Sequence, residues 1–146
     1  MARARIARSG APTYGHAMAI DGCHFILYVA DQEKSCAFYA RLLDREPRLH
    51  VPGMTELELG RGAVLGLMPE AGIKRLLGDR LPDPARGAGA PRSELYLLVE
   101  SPGAWHARAL AAGAVELSPP EPRDWGHLVS YALDPDGHVL AFATAV

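Results

Sequence analysis

Two stretches of the chain repeat the same order of hydrophobic and polar positions at a separation of 70 residues. Residues 24–43 read HFILYVADQEKSCAFYARLL, and residues 94–113 read ELYLLVESPGAWHARALAAG. Each stretch begins with an apolar run typical of a buried strand and continues into a segment with helical spacing. Because a repeat of this length indicates a duplicated structural unit, we predict two similar modules.

Residues with capping chemistry separate the strand from the helix in both copies. In the first copy a strand over Phe25–Val29 is followed by Asp31, which we expect to cap the helix. In the second copy the strand is Leu95–Val99, and Ser101 is the expected cap, with a proline directly after it. Gly113 follows the second helical segment and is the residue type that most often ends a helix.

Strand signals follow the helix in both copies, so each module is predicted to be β-α-β-β-β. The Asp-Pro-Asp-Gly sequence at 134–137 predicts a tight turn between the last two strands. The predicted strands are Arg48–Val51, Thr55–Leu59 and Ala63–Met68 in the first module, and Val115–Leu117, His127–Leu133 and His138–Ala143 in the second.

The segment between the modules is rich in Pro, Gly, Ala and Arg, with one short helical candidate at Ile73–Leu77. We interpret it as a linker or lid within one domain. The predicted organisation is an N-terminal tail or arm over 1–20 and a single domain over 21–146. Within that domain, module one covers about 22–68, the linker 69–93 and module two about 94–146.

Composition and charge favour a globular cytoplasmic protein. The chain has 146 residues, is 49% hydrophobic and carries a net charge of -2, so neither nucleic acid nor a membrane is an expected partner. Its basic first residues lack the apolar segment of a secretory signal, although an organellar transit peptide is an alternative reading. Cys23 and Cys36 are expected to be reduced and mostly buried.

Four motifs follow one another along the chain: HFILYVAD at 24–31, Phe38-Tyr39, RDWG at 123–126 and LDPDGHVLAFA at 133–143. Their order and spacing resemble the vicinal oxygen chelate superfamily, which includes glyoxalase I, bleomycin-resistance proteins and extradiol dioxygenases. The resemblance implies an α+β fold in which the two modules form a curved, mixed eight-stranded sheet around a cavity, with the helices outside. It also implies a homodimer.

The resemblance further implies four positions where metal-dependent relatives carry ligands. In this sequence they are His24, Gly66, Glu94 and Ala141, so two of the four have no side-chain donor. Since a catalytic metal normally has about three protein ligands, we expect no tightly bound metal and no other cofactor. The alternative is a divalent ion held by His24 and Glu94 together with a nearby donor, for which Glu56, Glu58 and His127 are candidates.

Strand alternation predicts the lining of the cavity. If His24 points inward, the apolar and phenolic residues two and four positions later do so too, and the other strands follow the same rule. Trp125, on a loop beside a glycine, is placed to close over a ligand. The predicted ligand-binding residues are Ile26, Tyr28, Val64, Gly66, Met68, Tyr96, Leu98, Trp125, Val139 and Ala141. His106 is expected on the exposed side of its helix and has no assigned role.

Three hypotheses follow for the function. In the first, the chain binds a small, partly aromatic organic molecule without metal, as drug-sequestering relatives do. In the second, it is a glyoxalase-like lyase or isomerase with Glu94 as base and His24 as ligand or acid, with or without a divalent metal. In the third, the cavity is vestigial and the protein docks to another protein.

Overall fold

Two βαβββ modules joined by a helical linker make up the computed structural model, which describes residues 18–146. Module one consists of β1 (Cys23–Val29), α1 (Gln32–Leu43), β2 (Leu49–Val51), β3 (Met54–Gly60) and β4 (Ala63–Pro69). The linker contains α2 (Glu70–Leu77) and short 3-10 helices at Gly78–Arg80 and Pro84–Gly87. Module two consists of β5 (Glu94–Leu98), α3 (Pro102–Ala112), β6 (Val115–Pro122), β7 (His127–Leu133) and β8 (Val139–Ala145). The first 17 residues of the predicted N-terminal tail, where the transit-peptide alternative falls, lie outside the described range.

Each module has its own four-stranded mixed sheet, in the orders β1-β4-β3-β2 and β5-β8-β7-β6. The first strand of each module pairs in parallel with the last, and the remaining pairs are antiparallel. The predicted α+β fold with duplicated modules is confirmed. The eight strands are divided between two sheets and are not closed into a barrel, and β1 and β5 each lie at a sheet edge.

The predicted caps fix where the main helices begin and end. The Asp31 side chain accepts a hydrogen bond from the amide of Lys34 at 3.0 Å, and Ser101 accepts one from the amide of Ala104 at 3.3 Å. Gly113 ends α3 with φ of 112°, a left-handed conformation that glycine adopts without steric cost. These local signals are confirmed in both modules.

Two elements are longer than their sequence pattern predicts. β6 continues through three prolines to Pro122, which is possible because it is an edge strand and its pairing with β7 is irregular. The linker helix begins at Glu70, three residues before the predicted start. No helix in the described part of the chain is long and apolar enough to cross a membrane.

One hydrophobic core joins the helix-facing sides of both sheets. It contains Leu27 and Leu67 from module one and Leu140 and Phe142 from module two, all buried. Helices α1 and α3 contact each other across the module boundary, where the Arg108 guanidinium donates to the Leu42 carbonyl at 2.7 Å. The two modules therefore fold as one packed unit.

The turn between β7 and β8 ties module two to module one. The Tyr39 hydroxyl of α1 donates to the Asp134 carboxylate at 2.5 Å, and the Ala30 amide donates to Asp136 at 2.8 Å. His138 hydrogen-bonds through Nε2 to the Tyr28 carbonyl at 3.0 Å and through Nδ1 to the Ser93 hydroxyl at 2.9 Å. Burial, then the charge of Asp134 and the hydrogen bond to it, raises the pKa of Tyr39 well above its ordinary value. The turn predicted from Asp-Pro-Asp-Gly is thus also an inter-module clasp.

Two burial predictions are wrong. Cys23 is exposed at the start of β1, while Cys36 is buried on α1 and burial raises the pKa of its thiol. His106, expected on the exposed side of α3, is 5% exposed and hydrogen-bonds to Glu116 at 2.7 Å. Nearly every position of α3 around His106 is apolar, so the helical period does not select a single buried face.

Candidate functional site

Face one is the side of the module-one sheet that points away from α1. The register places His24, Val64 and Glu58 in one cross-strand row, and Ile26, Gly66 and Glu56 in the next. Tyr28 and Met68 are paired one step further along. The predicted inward residues of module one therefore lie together on this face.

A charged cluster occupies the end of face one near the start of β1. His24 Nδ1 lies 3.1 Å from Glu56 Oε2, and the Arg48 guanidinium donates to the same oxygen at 3.0 Å. Arg48 also lies 3.5 Å from His24 Nε2. Because guanidinium can only donate, Nε2 is the accepting nitrogen and the His24 proton belongs on Nδ1, where it donates to Glu56. Arg48 and Glu56 thus orient the imidazole.

Ile26 covers the ligand position at Gly66. A Cβ added to Gly66 would lie 3.0 Å from Ile26 Cγ1 and 3.6 Å from the sulfur of Met54. The missing side chain is therefore replaced by apolar atoms from the neighbouring strands. Face one presents an apolar surface beside the His24–Glu56–Arg48 cluster.

Face two is the corresponding side of the module-two sheet, and its centre is aromatic. Tyr96 and Tyr131 are both paired with Ala141 and pack against a cluster of Val129, Ala141 and Ala143. Ala141 is fully buried, so the second donor-free ligand position forms the floor between two phenol rings. Burial, and after it the negative charge of Glu94, raises the pKa of Tyr131 above its ordinary value. Val139 is paired with the exposed Glu94, and Leu98 is paired with Ala143. Val139 and Leu98 therefore also lie on face two.

A hydrogen-bonded chain of three side chains crosses the rim of face two. The Trp125 indole N–H donates to the Tyr96 hydroxyl at 3.0 Å, and that hydroxyl lies 2.6 Å from Nδ1 of His127. The rings of Tyr96 and His127 are 5.9 Å apart and tilted by 32°. Trp125 itself is 57% exposed, so its indole donates one hydrogen bond while much of the residue remains open to solvent.

A cavity of about 450 Å³ lies beside β1 and is walled by the linker. Ile26 and Tyr28 form one side, Arg92 and Ser93 come from the end of the linker, and His138 comes from the clasp. Its remaining walls are Leu27, Leu81, Pro82 and Pro84. The volume falls within the range of about 300–1,000 Å³ that is usual for small-molecule sites.

The donor set does not fit a resident metal ion. Among residues 18–146 no three His, Cys, Asp or Glu side chains come together as a metal site, so Glu94 does not join His24 and Glu56. Arg48 holds Glu56 and lies beside His24 Nε2, placing a positive charge where a cation would have to bind. We derive no metal-dependent step from this chain.

Comparison with known proteins identifies the family. A family model described as the glyoxalase/bleomycin resistance protein/dioxygenase superfamily matches residues 22–142. The chain belongs to this superfamily. Solved structures agree: a glyoxalase-related enzyme from Fulvimarina pelagi is 25% identical, with a TM-score of 0.70 over 83% of this chain and 85% of that one.

Two further solved structures share the fold of this chain. A glyoxalase/bleomycin resistance protein/dioxygenase from Nocardioides is 21% identical over 89% of this chain and 88% of its own, with a TM-score of 0.70. A protein from Agrobacterium tumefaciens is 25% identical over 88% of this chain and 99% of its own, with a TM-score of 0.69. No curated protein matches the chain.

Sequence reasoning for this superfamily member missed Arg48, Tyr131 and the linker walls of the cavity. A hairpin around Pro52-Gly53 brings Arg48 close enough to Glu56 to form a cross-strand charge pair. Both residues lie in strands that the sequence predicts, so the pair could have been inferred from those strands and the turn between them. Tyr131 lies in the predicted strand β7 and follows from the same alternation as Tyr96. The linker residues that wall the cavity lie outside its one helical candidate and show no periodic pattern, so their contribution was not accessible from pattern alone.

Proposed function

We propose that this superfamily member binds a small, partly aromatic organic molecule without a tightly bound metal ion. The observation that supports this proposal most directly is the aromatic centre of face two. There Tyr96 and Tyr131 flank the buried Ala141, and Trp125 is exposed at the rim. Aromatic walls with a few fixed polar groups are typical of sites for organic ligands. The apolar cavity beside β1 offers further room for such a molecule.

We also propose that the protein is a cytoplasmic homodimer. Ile26, Leu98 and Trp125 are 44%, 72% and 57% exposed, so both faces leave apolar side chains open to solvent in a single chain. A second copy that covered them would remove this surface from water and enclose a bound molecule. Light scattering after size exclusion should give twice the mass of the chain, and a monomer would contradict the homodimer.

A thermal-shift screen of aromatic antibiotics and metabolites tests the binding function. A ligand that binds only the folded protein at about 100 times its Kd stabilises it by about 2.7 kcal/mol, which raises the Tm measurably. Tyr96→Ala should abolish the shift, whereas Leu76→Ala on the exposed side of α2, away from the site, should retain it. A broad panel without any shift would contradict binding and favour the hypothesis of docking to another protein.

A glyoxalase-like lyase or isomerase is the second candidate, favoured by the exposed carboxylate of Glu94 and the oriented imidazole of His24. In this version Glu94 removes a proton from the substrate. Glu94→Gln preserves the shape of the side chain but cannot act as a base. Loss of turnover with retained ligand binding in Glu94→Gln would support the enzyme. Absence of turnover in wild type, together with equal binding constants for wild type and Glu94→Gln, would support sequestration.

A further inference from the structure

We propose that His127 presents an Nε2–H donor on face two, and that this donor selects neutral aromatic ketones among the molecules the site accepts. The inference rests on the proposed binding function and names the ligand chemistry of the same site. It comes from the directions of the hydrogen bonds in the Trp125–Tyr96–His127 chain and from the charge around it.

Chemistry fixes one donor in this chain, and we assign the other. An indole N–H can only donate, so the Tyr96 oxygen accepts from Trp125 at 3.0 Å. We assign the single Tyr96 proton to His127 Nδ1 at 2.6 Å, with Nδ1 as the acceptor. A neutral imidazole that accepts at Nδ1 carries its proton on Nε2. His127 is half-buried, and its other nitrogen therefore offers a donor.

The surroundings of this donor favour a neutral ligand over an anion. Glu94 lies on the same face, and its charge raises the pKa of Tyr131. The Arg123 guanidinium lies 5.1 Å from the centroid of that ring and donates to the Ser118 hydroxyl and the Val129 carbonyl. At the Tyr131 hydroxyl the negative charge of Glu94 has a larger effect than the positive charge of Arg123, so a bound carboxylate would meet net repulsion there.

The aromatic part of the ligand is set by the rings around the donor. Trp125 exposes an indole face, and the Tyr96 and Tyr131 rings pack beside the Ala141 floor. A planar ring that stacks here leaves its ketone oxygen to accept from His127. Tyr96 is a positioning residue in this arrangement, because it fixes the tautomer that makes the donor.

Three probes of matched ring size test the inference by quenching of tryptophan fluorescence: 1-acetonaphthone, 1-ethylnaphthalene and 1-naphthoate. For wild type we expect the ketone to bind about threefold to tenfold more tightly than the hydrocarbon, the effect of one hydrogen bond. Naphthoate should bind more weakly than the ketone, and Glu94→Gln should improve naphthoate alone. His127→Leu should remove the preference for the ketone. Trp125→Phe lacks the fluorescent reporter, so its binding is measured by calorimetry and should be weaker for ketone and hydrocarbon alike.

The tautomer gives a second readout that does not depend on a ligand. Nitrogen NMR shifts of His127 should report an Nε2–H imidazole in wild type and a mixture of tautomers in Tyr96→Phe. An Nδ1–H imidazole in wild type, or equal binding of ketone and hydrocarbon, would overturn the inference while leaving the proposed function intact. Failure of all three probes to bind would overturn both.

Discussion

Removing the Asp134 carboxylate should cost a large part of the stability of the protein. The side chain is 5% exposed and accepts three hydrogen bonds, two at Oδ1 from the amides of Asp136 and His138, both at 2.9 Å. The third is the bond at Oδ2 from the Tyr39 hydroxyl of module one. Asp134→Ala would therefore leave three donors without their acceptor, in two buried hydrogen bonds and one part-buried one.

The expected magnitude follows from these partners. A hydrogen bond to a charged group contributes roughly 1.5–3 kcal/mol, and relaxation of the turn makes the three bonds less than additive. We expect Asp134→Ala to lower the free energy of unfolding by about 3–4 kcal/mol, against about 5–15 kcal/mol for a whole domain. Asp134→Asn retains Oδ1 and should cost only about 1–2 kcal/mol.

Urea unfolding followed by circular dichroism measures these changes, and a double-mutant cycle assigns them to the clasp. Tyr39→Phe should cost about 1.5–3 kcal/mol, and in combination with Asp134→Ala the loss should fall short of the sum by about 1 kcal/mol or more. Tyr28→Phe, a half-exposed phenol, is the matched control and should stay within about 0.5 kcal/mol of wild type. An Asp134→Ala cost below about 1 kcal/mol, or strict additivity with Tyr39→Phe, would refute the clasp as a source of stability.

Three further predictions follow from the fold and its surface. Because folding raises the pKa of Tyr39, the unfolded chain loses this proton first above about pH 10. The free energy of unfolding of wild type should therefore fall by about 1.4 kcal/mol per pH unit there, relative to Tyr39→Phe. If the difference between wild type and Tyr39→Phe in urea unfolding is the same below and above about pH 10, the prediction is contradicted. Leu98→Glu should convert the proposed dimer to monomer in light scattering, and an unchanged mass would place the interface elsewhere. Asp31→Ala should destabilise the protein by about 1 kcal/mol in urea through loss of the α1 cap, and no change in midpoint would mean that the cap contributes nothing.

The fold was predictable from the sequence because its signals are local. Asp31, Ser101 and Gly113 act within one helical turn, and the turn at 134–137 acts within four residues, so each could be read without knowledge of the rest of the chain. Strand alternation then placed His24, Ile26 and Tyr28 on one face, and Glu94 and Tyr96 on another.

The detail of the site was less accessible because it depends on contacts distant in sequence. Tyr96 meets Trp125 and His127 across about 30 positions, and Asp134 meets Tyr39 across 95. Strand periodicity predicts the face on which a side chain lies but not the hydrogen bond it forms. For the same reason, the sequence identified His24 and Glu56 as candidates but not the guanidinium of Arg48 between them.

Metal analysis of protein purified without chelator tests the central claim most directly, since Gly66 and Ala141 leave two ligand positions without donors. Elemental analysis for nickel, zinc, iron and manganese should find each far below one ion per chain, also after incubation with the metal and gel filtration. One equivalent of any of these ions that remains bound in wild type, and is lost in a His24→Ala variant, would contradict the account.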